Sequence, residues 1–416
     1  MYLFLTDFQL LKSLVGYNVP KFKQPEISIS PGENLPSLSI SDGFKIDVFA
    51  DGLTGPRVIV FGPKGEMLVS ETKEGRIVLL EDMDNDGKAD RKKVIINGLN
   101  LPHGLDFYKD PTGTVYLYIA ESNQVMRYVY DVNKFEIINK TGGQNVASLP
   151  DGGQHFTRTI AFGPNFRNKP IIEGAREKET LSGTKLYISV GSACNVCLEQ
   201  SWKRAAILES DPAGSFTAEF AGGLRNSVFF TFHPVTKEIW ATEMGRDNLG
   251  DDLPPDEINI VRVAGPEHEF GARRYGWPFC YGRKVKDTTF SSDKTDRPDI
   301  PRGCEKTEPA AIEIPAHSAP LGLAFVPSTG GWPKEWQNNL LVAYHGSWNR
   351  RAPTGYKVVR FIVDGNGKVS KTEDFISGWL QGGKTLGRPV DLKFGPDGAL
   401  YISDDSAGLI YRVVSE

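Results

Sequence analysis

The stretch GRPVDLKFGPDGALYISDD, residues 387–405, contains the pattern that decides the fold. A polar start leads into an apolar run ending in Phe394, a Gly-Pro turn follows, and a second apolar run ends at Asp404. PRVIVFGPKGEMLVSET, residues 56–72, has the same pattern far earlier in the chain. Short alternating apolar runs separated by turn residues predict pairs of β-strands and argue against helices.

Four further segments share this pattern, and most of the six are followed by a third apolar strand such as RIVLLED or LIYRVV. They are PHGLDFYKDPTGTVYLYIAES from Pro102, HFTRTIAFGPN…TKLYISVGS from His155, LRNSVFFTFHPVTKEIWATEM from Leu224 and APLGLAFVPS…NNLLVAYHG from Ala319. Six similar units of three to four strands predict an all-β fold, a six-bladed β-propeller with inserted loops between strands, over residues 39–416. A two-sheet sandwich or barrel is the alternative, but long insertions at corresponding places of similar units favour the propeller.

The composition is that of an ordinary soluble domain, with 39% apolar and 24% charged residues. A formal charge of −4 gives no basic field, which argues against nucleic acid or an anionic membrane surface as the main partner. The sequence contains no apolar run of about eighteen residues, so no membrane span is predicted.

Residues 1–38 are predicted to be an N-terminal arm and linker. MYLFLTDFQLLKSLVG is apolar, but it lacks a basic start and a small-residue cleavage site, and Asp7 and Lys12 interrupt it. We interpret it as an amphipathic helix or docking arm, with a degenerate signal or anchor as the alternative. The segment 20–38, rich in Pro, Ser and Lys, is typical of a linker.

Polar residues stand at the starts of all six innermost strands, which in a propeller lie around one mouth of the central channel. Guanidinium and imidazole groups gathered there would repel one another unless an anion lies between them, and arginine is suited to bidentate carboxylate or phosphate binding. A polyanionic ligand is therefore predicted, although any one of these residues alone could be a surface ion-pair member or a buried structural histidine. The residues are Arg57, His103, His155 with Arg158, Arg225 with Asn226, His317, and Arg388.

Motifs along the whole repeat region resemble one known family. The motifs are HFTRTIAFGP at His155, LYISVGSACNVC at Leu186, GLRN at Gly223, GRDNLGDDLPPDEIN at Gly245, YGWP at Tyr275, HGSWNR at His345, GYKVVR at Gly355 and GRPVDLKFGPDGALYISDD at Gly387. Together and in this order they resemble the soluble pyrroloquinoline quinone (PQQ) dependent sugar dehydrogenases, in the sorbosone and pyranose dehydrogenase branch. The resemblance covers nearly all of residues 40–416.

The resemblance implies oxidation of a sugar or sugar-aldehyde, such as an aldose, pyranose or sorbosone-like compound. Hydride would pass to PQQ, and electrons would leave to an external acceptor, a quinone, dye or cytochrome. His155 matches the catalytic base, and an imidazole with a pKa near 6.5 suits that role. Arg225 matches the arginine that stabilises charge on the quinone oxygen. The other implied cofactor contacts are Arg57, Arg158, Asn226, His345 and Arg388.

The resemblance also implies a Ca²⁺ ion that bridges cofactor and protein through oxygen atoms. In relatives, consecutive main-chain carbonyls bind the ion, and Gly245 and Arg246 occupy that place. Glucose dehydrogenases have proline at the second position, and they pair an aspartate with the catalytic histidine where Gln154 stands here. Glucose is therefore not assumed to be the substrate.

A second calcium motif is visible in DMDNDGKAD, which places Asp82, Asp84, Asp86 and Asp90 at positions 1, 3, 5 and 9 of an EF-hand-like loop. Position 12 is Lys93 in place of the bidentate glutamate. The loop is predicted to hold a structural Ca²⁺ with no catalytic part, and a solvated acidic turn is the alternative.

The four cysteines predict two local disulfides, Cys194–Cys197 and Cys280–Cys304, out of three possible connectivities. Such bridges suit a periplasmic or extracellular protein, while a reduced cytosolic protein is the alternative. Leu198 follows the C-x-x-C pair where attachment of c-type haem needs histidine, so no haem is predicted.

Three other functional classes are weighed against the dehydrogenase. A propeller sugar lactonase would hold Ca²⁺ with Glu, Asn and Asp side chains in the channel, and the cationic strand starts argue against it. A propeller used only for protein interaction has no need to gather Arg and His at one mouth. The chain has no G-x-G-x-x-G after a strand, so a Rossmann dinucleotide site is not predicted.

Overall fold

The computed structural model describes residues 37–167, 183–265, 271–290, 303–364 and 368–416. Six sheets of four or five strands follow one another through these residues, numbered here as blades 1 to 6 from Pro56 onward. This confirms the all-β, six-bladed propeller. The predicted arm at 1–38 lies outside the described residues, except for Ser37 and Leu38.

The strands of each blade are given from the innermost outward. Blade 1 has Pro56–Phe61, Met67–Glu71, Arg76–Glu81 and Arg91–Asn97, and blade 2 has Leu105–Lys109, Val115–Glu121 and Gln124–Asp131, the last pairing with both Glu136–Ile137 and Gln144–Ser148. Blade 3 has Ile160–Pro164, Thr184–Val190, Ala206–Ser210, Thr217–Gly222 and Arg273–Arg274, and blade 4 has Phe230–Phe232, Ile239–Glu243, Asp256–Val261 and Ile312–Ile314. Blade 5 has Pro320–Phe325, Leu340–Tyr344, Lys357–Val363, Val369–Ser377 and Ser39–Ile40, and blade 6 has Pro389–Phe394, Leu400–Asp404, Leu409–Ser415 and Phe44–Ala50.

Two short hairpins and three helical turns supplement the six sheets among the described residues. Two small hairpins pair Cys280–Tyr281 with Val285–Lys286 and Leu380–Gln381 with Lys384–Thr385. One-turn 3₁₀ helices cover Thr72–Glu74, Cys304–Lys306 and Lys334–Trp336. No helix among the described residues is long and apolar enough to cross a bilayer.

The ring is closed by a strand from the beginning of the repeat region. Phe44–Ala50 pairs antiparallel with Leu409–Ser415 and so becomes the outermost strand of blade 6. The last blade is therefore completed by residues that precede the first blade, which ties the two ends of the repeat region together.

Neighbouring blades are joined near the channel by carboxylates and by close backbone contact. Asp106 accepts the N–H of Phe162 at 2.8 Å, and Asp391 accepts the N–H of Ile59 at 2.9 Å, which links blade 2 to blade 3 and blade 6 to blade 1. Burial raises the pKa of both carboxyls. At Gly322 an added Cβ would lie 2.5 Å from the carbonyl oxygen of Val390, so only glycine lets the inner strands of blades 5 and 6 approach this closely.

Both predicted disulfides are present. Cys194 is bonded to Cys197 and Cys280 to Cys304, and no described cysteine is free. The first bridge closes a loop beside the channel mouth. The second links the two ends of the insertion that runs from Cys280 to Cys304.

Candidate active site

In four blades the second strand ends in a buried carboxylate, here called an anchoring carboxylate, that accepts a backbone N–H from the segment leading into the first strand. Each bond fixes the chain where it reaches the channel mouth. In blades 4 and 6 the fixed residue is a predicted cofactor contact. The pairs are Glu71 with Thr54 at 2.6 Å, Glu121 with Asn100 at 2.5 Å, Glu243 with Asn226 at 2.8 Å, and Asp404 with Arg388 at 2.8 Å.

Blade 3 lacks an anchoring carboxylate at the end of its second strand. The segment that leads into its first strand contains His155. Its Nδ1 is 2.9 Å from both the carbonyl oxygen and the hydroxyl of Ser192. The Ser192 hydroxyl donates to the carbonyl of Cys194 at 2.6 Å, so both Ser192 oxygens face His155 as acceptors. Nδ1 therefore carries the proton, and Nε2 keeps its lone pair. Gly191 makes room for the ring, because an added Cβ would lie 2.6 Å from the Cβ of His155.

The environment of His155 is strongly cationic. Burial and the nearby charge of Arg225, with smaller effects of Arg158 and Arg204, lower the pKa of His155 to about 3. The sequence-based expectation of a pKa near 6.5 therefore needs correction for this structure. His155 is therefore neutral throughout the ordinary pH range, and its Nε2 has a lone pair that can accept a proton.

Arg158 lies beneath His155 and has no exposed surface. Its guanidinium donates to the carbonyls of His155 and Thr157 at 2.8 Å and of Pro150 at 3.0 Å. Burial and Arg204 lower its pKa to about 9. Because it is enclosed by backbone, Arg158 fixes the segment that carries His155 and does not line the mouth, unlike its predicted place among the cofactor contacts.

Arg225 is almost completely buried, and acceptors surround its guanidinium. Nε and one terminal nitrogen donate to the carbonyl and side-chain oxygens of Asn195, each at 2.9 Å. The other terminal nitrogen donates to the carbonyls of Met244 at 3.2 Å and Gly245 at 3.0 Å. The longest contact, 3.4 Å, is to the carboxylate of Asp247. Burial lowers the pKa of Arg225, and Asp247 opposes that effect.

Asn226 stands between the base and the blade 4 loop. Its Oδ1 would be 2.6 Å from a Cβ on Gly191, the same glycine that His155 packs against. Its Nδ2 lies 3.6 Å from the sulfur of Met244. The structure thus brings His155, Arg225 and Asn226 together, as the repeat pattern predicts.

A second cluster joins blades 1, 5 and 6. Asp405 accepts hydrogen bonds from Arg57 at 2.6 Å and from Nε2 of His345 at 2.9 Å. Burial alone would raise the pKa of Asp405, but His345 and Arg57 together lower it below the usual range. His103 lies close to this cluster. Burial and the charge of Arg57 hold its pKa well below the usual value of a histidine, and its Nε2 is buried without a partner among the described residues.

Arg388 is held on the blade 5 loop. Its guanidinium donates to the carbonyl of Gly346 at 2.9 Å and to the hydroxyl of Tyr356 at 3.0 Å, and it lies over the Tyr356 ring at 4.7 Å. None of the hydrogen bonds that the guanidinium makes among the described residues is to a carboxylate. Asp391, three residues after Arg388, is bonded to backbone N–H groups.

The other predicted residues lie away from this centre or make contacts other than the predicted ones. The Nε2 of His317 is 2.8 Å from the carbonyl of Gly250, in the loop between the second and third strands of blade 4. The side chain of Arg246 pairs with Asp287 at 2.7 Å, so only its main chain remains available for the predicted calcium ligation. Gly245 donates its N–H to the buried Asp256 at 2.9 Å.

In the acidic loop of blade 1, carboxylate oxygens of Asp82, Asp84 and Asp86 lie within 4.8 Å of one another. Asp90 is not part of this group, and it accepts the N–H of Met83 at 2.7 Å. Backbone N–H groups of the loop also bind these carboxylates, as when Gly87 donates to Asp82 at 2.9 Å. The structural calcium stays a prediction, with three of its four predicted carboxylates brought together.

Four contributors to the site were not predicted. Ser192 and Asn195 lie inside the motif LYISVGSACNVC, and Asp405 is the last residue of the repeat at 387–405. Arg204 donates to the Pro150 and Asp151 carbonyls at 3.2 and 2.8 Å below His155. The doubled aspartate of the repeat is a usable signal for Asp405, whereas bonds to main-chain carbonyls leave no mark on the sequence.

Comparison with known proteins agrees with this architecture. The model of the TrAA12-like family matches residues 38–416. An uncharacterised protein of Borreliella burgdorferi is 30% identical, over 98% of this chain and 99% of its own length. A PQQ-dependent pyranose dehydrogenase of Coprinopsis cinerea is 26% identical over 92% of this chain, which spans only 56% of that relative. The calcium structure of the Trichoderma reesei AA12 carbohydrate-active enzyme has a TM-score of 0.72 at 22% identity, covers 92% of this chain and 98% of its own, and shows the shared fold.

Proposed function

This chain belongs to the TrAA12-like family, and from that premise we propose that it is a PQQ-dependent sugar dehydrogenase. Its substrate would be an aldose, a pyranose or a sorbosone-like sugar-aldehyde. The observation that carries the proposal is the state of His155, whose Nδ1 donates to Ser192 and whose Nε2 is left as a base at the channel mouth.

The charges of the mouth fit a cofactor with several carboxylates. Arg225 and Arg388 are held mainly by neutral carbonyl and hydroxyl oxygens, and Asp247 is the carboxylate in contact with Arg225. Buried or half-buried guanidinium groups whose charge is not fully compensated favour an anionic ligand. The Nε of Arg57 is also buried without a partner among the described residues. We assign Arg57, Arg225, Asn226, His345 and Arg388 to cofactor binding.

The proposed chemistry divides between cofactor and chain. When bound, PQQ supplies the electrophilic quinone carbon that accepts hydride from the sugar. Nε2 of His155 takes the proton from the sugar hydroxyl, and Ser192 keeps the imidazole oriented while its positive charge develops. Arg225 presents positive charge, and its long contact to Asp247 is the one that a ligand oxygen most easily replaces.

Calcium would be bound by the main-chain carbonyls of Gly245 and Arg246, with the cofactor completing its oxygen ligands. The Gly245 carbonyl accepts one hydrogen bond from Arg225, which leaves its second lone pair for the ion. For the acidic loop at Asp82, Asp84, Asp86 and Asp90, we keep a separate structural Ca²⁺ as a proposal.

We further propose an external electron acceptor and a periplasmic or extracellular location. The C-x-x-C cysteines are bonded to each other, and Leu198 follows them, so this motif does not attach a haem. The two disulfides support an oxidising compartment. The lactonase alternative gains no support, because the described carboxylates Asp247 and Asp405 at the mouth contact arginines.

The test is a titration of the purified chain with PQQ and Ca²⁺, followed by calorimetry and by sugar-dependent reduction of a dye. We expect saturable binding and a rate that requires PQQ, Ca²⁺ and sugar together. A panel of aldoses, pyranoses and sugar-aldehydes identifies the substrate, and His155→Gln is the matched inactive control. Absence of both cofactor binding and dye reduction in the folded chain would overturn the proposal.

A further inference from the structure

One short loop contacts both the base and the active-site arginine. Residues 192–197 lie between His155 and Arg225, and the Cys194–Cys197 disulfide closes a ring within this segment that contains Asn195. At one end Ser192 binds Nδ1 of His155, and its N–H donates to the carbonyl of Arg225 at 2.7 Å. In its middle Asn195 binds the Arg225 guanidinium.

Three polar atoms of Asn195 bind Arg225 and Asp247. Its carbonyl accepts Nε–H of Arg225, and its Oδ1 accepts both a terminal N–H of Arg225 and the backbone N–H of Asp247 at 2.8 Å. Its Nδ2 donates to the carbonyl of Asp247 at 3.1 Å. The side chain thus ties the guanidinium to the loop that contains Gly245 and Asp247.

We infer that Asn195 is a positioning residue, held inside the ring that the Cys194–Cys197 disulfide closes, that fixes the direction of the Arg225 guanidinium at the channel mouth. An arginine has five N–H donors in a rigid plane, so two acceptors on one residue determine how that plane is turned. The disulfide matters because it limits the backbone positions open to Asn195. The catalytic part of this inference rests on the proposed function, whereas the geometric part does not.

The geometric part is tested in the cofactor-free chain by phenylglyoxal labelling of arginine, read out by peptide mass spectrometry. Arg225 is 4% exposed, so its labelling in the wild-type chain should be slow. In Asn195→Ala the guanidinium loses one of its two Asn195 acceptors, and labelling should accelerate by about fivefold, the effect of one hydrogen bond of roughly 1 kcal/mol. Arg388, held by blade 5 instead, is the internal reference and should not change.

Two controls separate positioning from general loosening. Asn145→Ala removes an exposed asparagine on blade 2 and should leave Arg225 labelling unchanged. Asn195→Asp keeps the acceptors for Arg225 and for the Asp247 N–H, so it should restore slow labelling. Should Asn195→Ala fail to fold, the pair Cys194→Ser with Cys197→Ser should accelerate Arg225 labelling, while Cys280→Ser with Cys304→Ser should not.

In the enzyme loaded with PQQ and Ca²⁺, Asn195→Ala should lower kcat by at least about tenfold with KM for the sugar changed by less than about threefold. Wild-type labelling of Arg225 in both Asn195→Ala and the Cys194/Cys197 variant would overturn the inference. Faster labelling together with a wild type that oxidises no sugar would instead overturn the proposed function and leave the positioning role standing.

Discussion

The residues at the channel mouth are held in one way in blades 4 and 6 and in another way in blade 3. In blades 4 and 6, Glu243 and Asp404 accept the backbone N–H of Asn226 and Arg388. In blade 3 the second strand ends at Val190, Gly191 follows, and the main chain of Ser192 meets the ring of His155. The anchoring carboxylate is missing at blade 3, which supplies the proposed base, and also at blade 5, whose second strand ends at Tyr344.

The difference has an electrostatic reason. A carboxylate in contact with His155 would raise its pKa and favour the charged ring, whereas the Ser192 carbonyl orients the ring without adding charge. A carboxylate there would also repel an anionic cofactor. In blades 4 and 6 the carboxylates contact backbone N–H groups and leave the side chains of Asn226 and Arg388 free to face the mouth.

The largest expected effect is that of His155→Gln, which tests the blade 3 side of this comparison. Sugar oxidation should fall by roughly two to four orders of magnitude, the usual value of a general base. PQQ affinity, measured by calorimetry, should stay within about threefold, because Arg225 and Arg388 remain.

The matched control for this variant is His233→Gln. His233 is buried in blade 4, where its Nδ1 accepts backbone N–H groups of Val235 and Thr236. It should lose stability without loss of rate per folded molecule. A His155 variant with weakened PQQ binding and normal turnover would make His155 a binding residue, and the contrast between the blades would lose its catalytic meaning.

Arg388→Ala tests the blade 6 side and should act on binding. Removing a charged partner of a cofactor carboxylate costs on the order of 2 to 5 kcal/mol, so PQQ affinity should fall by about 30-fold or more. Arg388→Lys should recover only part of it, because an ammonium cannot donate as a planar fork. A wild-type dissociation constant for PQQ in Arg388→Ala would show that the blade 6 strand start takes no part in the cofactor site.

The repeat pattern predicts the six blades and the residues at the strand starts, because strand alternation and turn residues are local properties of sequence. The pattern does not predict that Phe44–Ala50 completes blade 6, since pairing across the whole repeat region has no local signal. It places Arg158 at the mouth, yet that guanidinium lies below it on three main-chain carbonyls. Residues that act through carbonyl acceptors, such as Ser192 and Asn195, become visible only in three dimensions.

Asp404→Asn is expected to act mainly on stability, and the effect depends on pH. Burial raises the pKa of Asp404 to about 6, above the value of 3.8 in the unfolded chain. The folded protein therefore keeps this proton where the unfolded chain has lost it, so wild-type stability should decline from about pH 4 to about pH 6 and then level off. The variant should lack this decline, which amounts to at most about 3 kcal/mol.

Thermal unfolding of both proteins between pH 4 and pH 8 measures this difference directly, and parallel curves would contradict it. The same substitution replaces a charged acceptor of the Arg388 N–H by a neutral one. We therefore expect about fivefold weaker PQQ binding, which corresponds to roughly 1 kcal/mol.

Glu121→Gln should have the smallest effect, and it decides whether an anchoring carboxylate acts locally. Glu121 accepts the N–H of Asn100 and the side chain of Gln124, and neither residue is assigned to the cofactor. The amide can keep one of these bonds, so the cost should be about 1 kcal/mol of stability, with PQQ affinity unchanged. Both carboxylates end the second strand of a blade. Comparison of PQQ affinity in this variant and in Asp404→Asn therefore separates the effect of each carboxylate on the segment that it binds. If Glu121→Gln weakened PQQ binding as much as Asp404→Asn does, the carboxylates would act on the mouth through the propeller as a whole. The assignment of Arg388 to its own anchor in blade 6 would then be wrong.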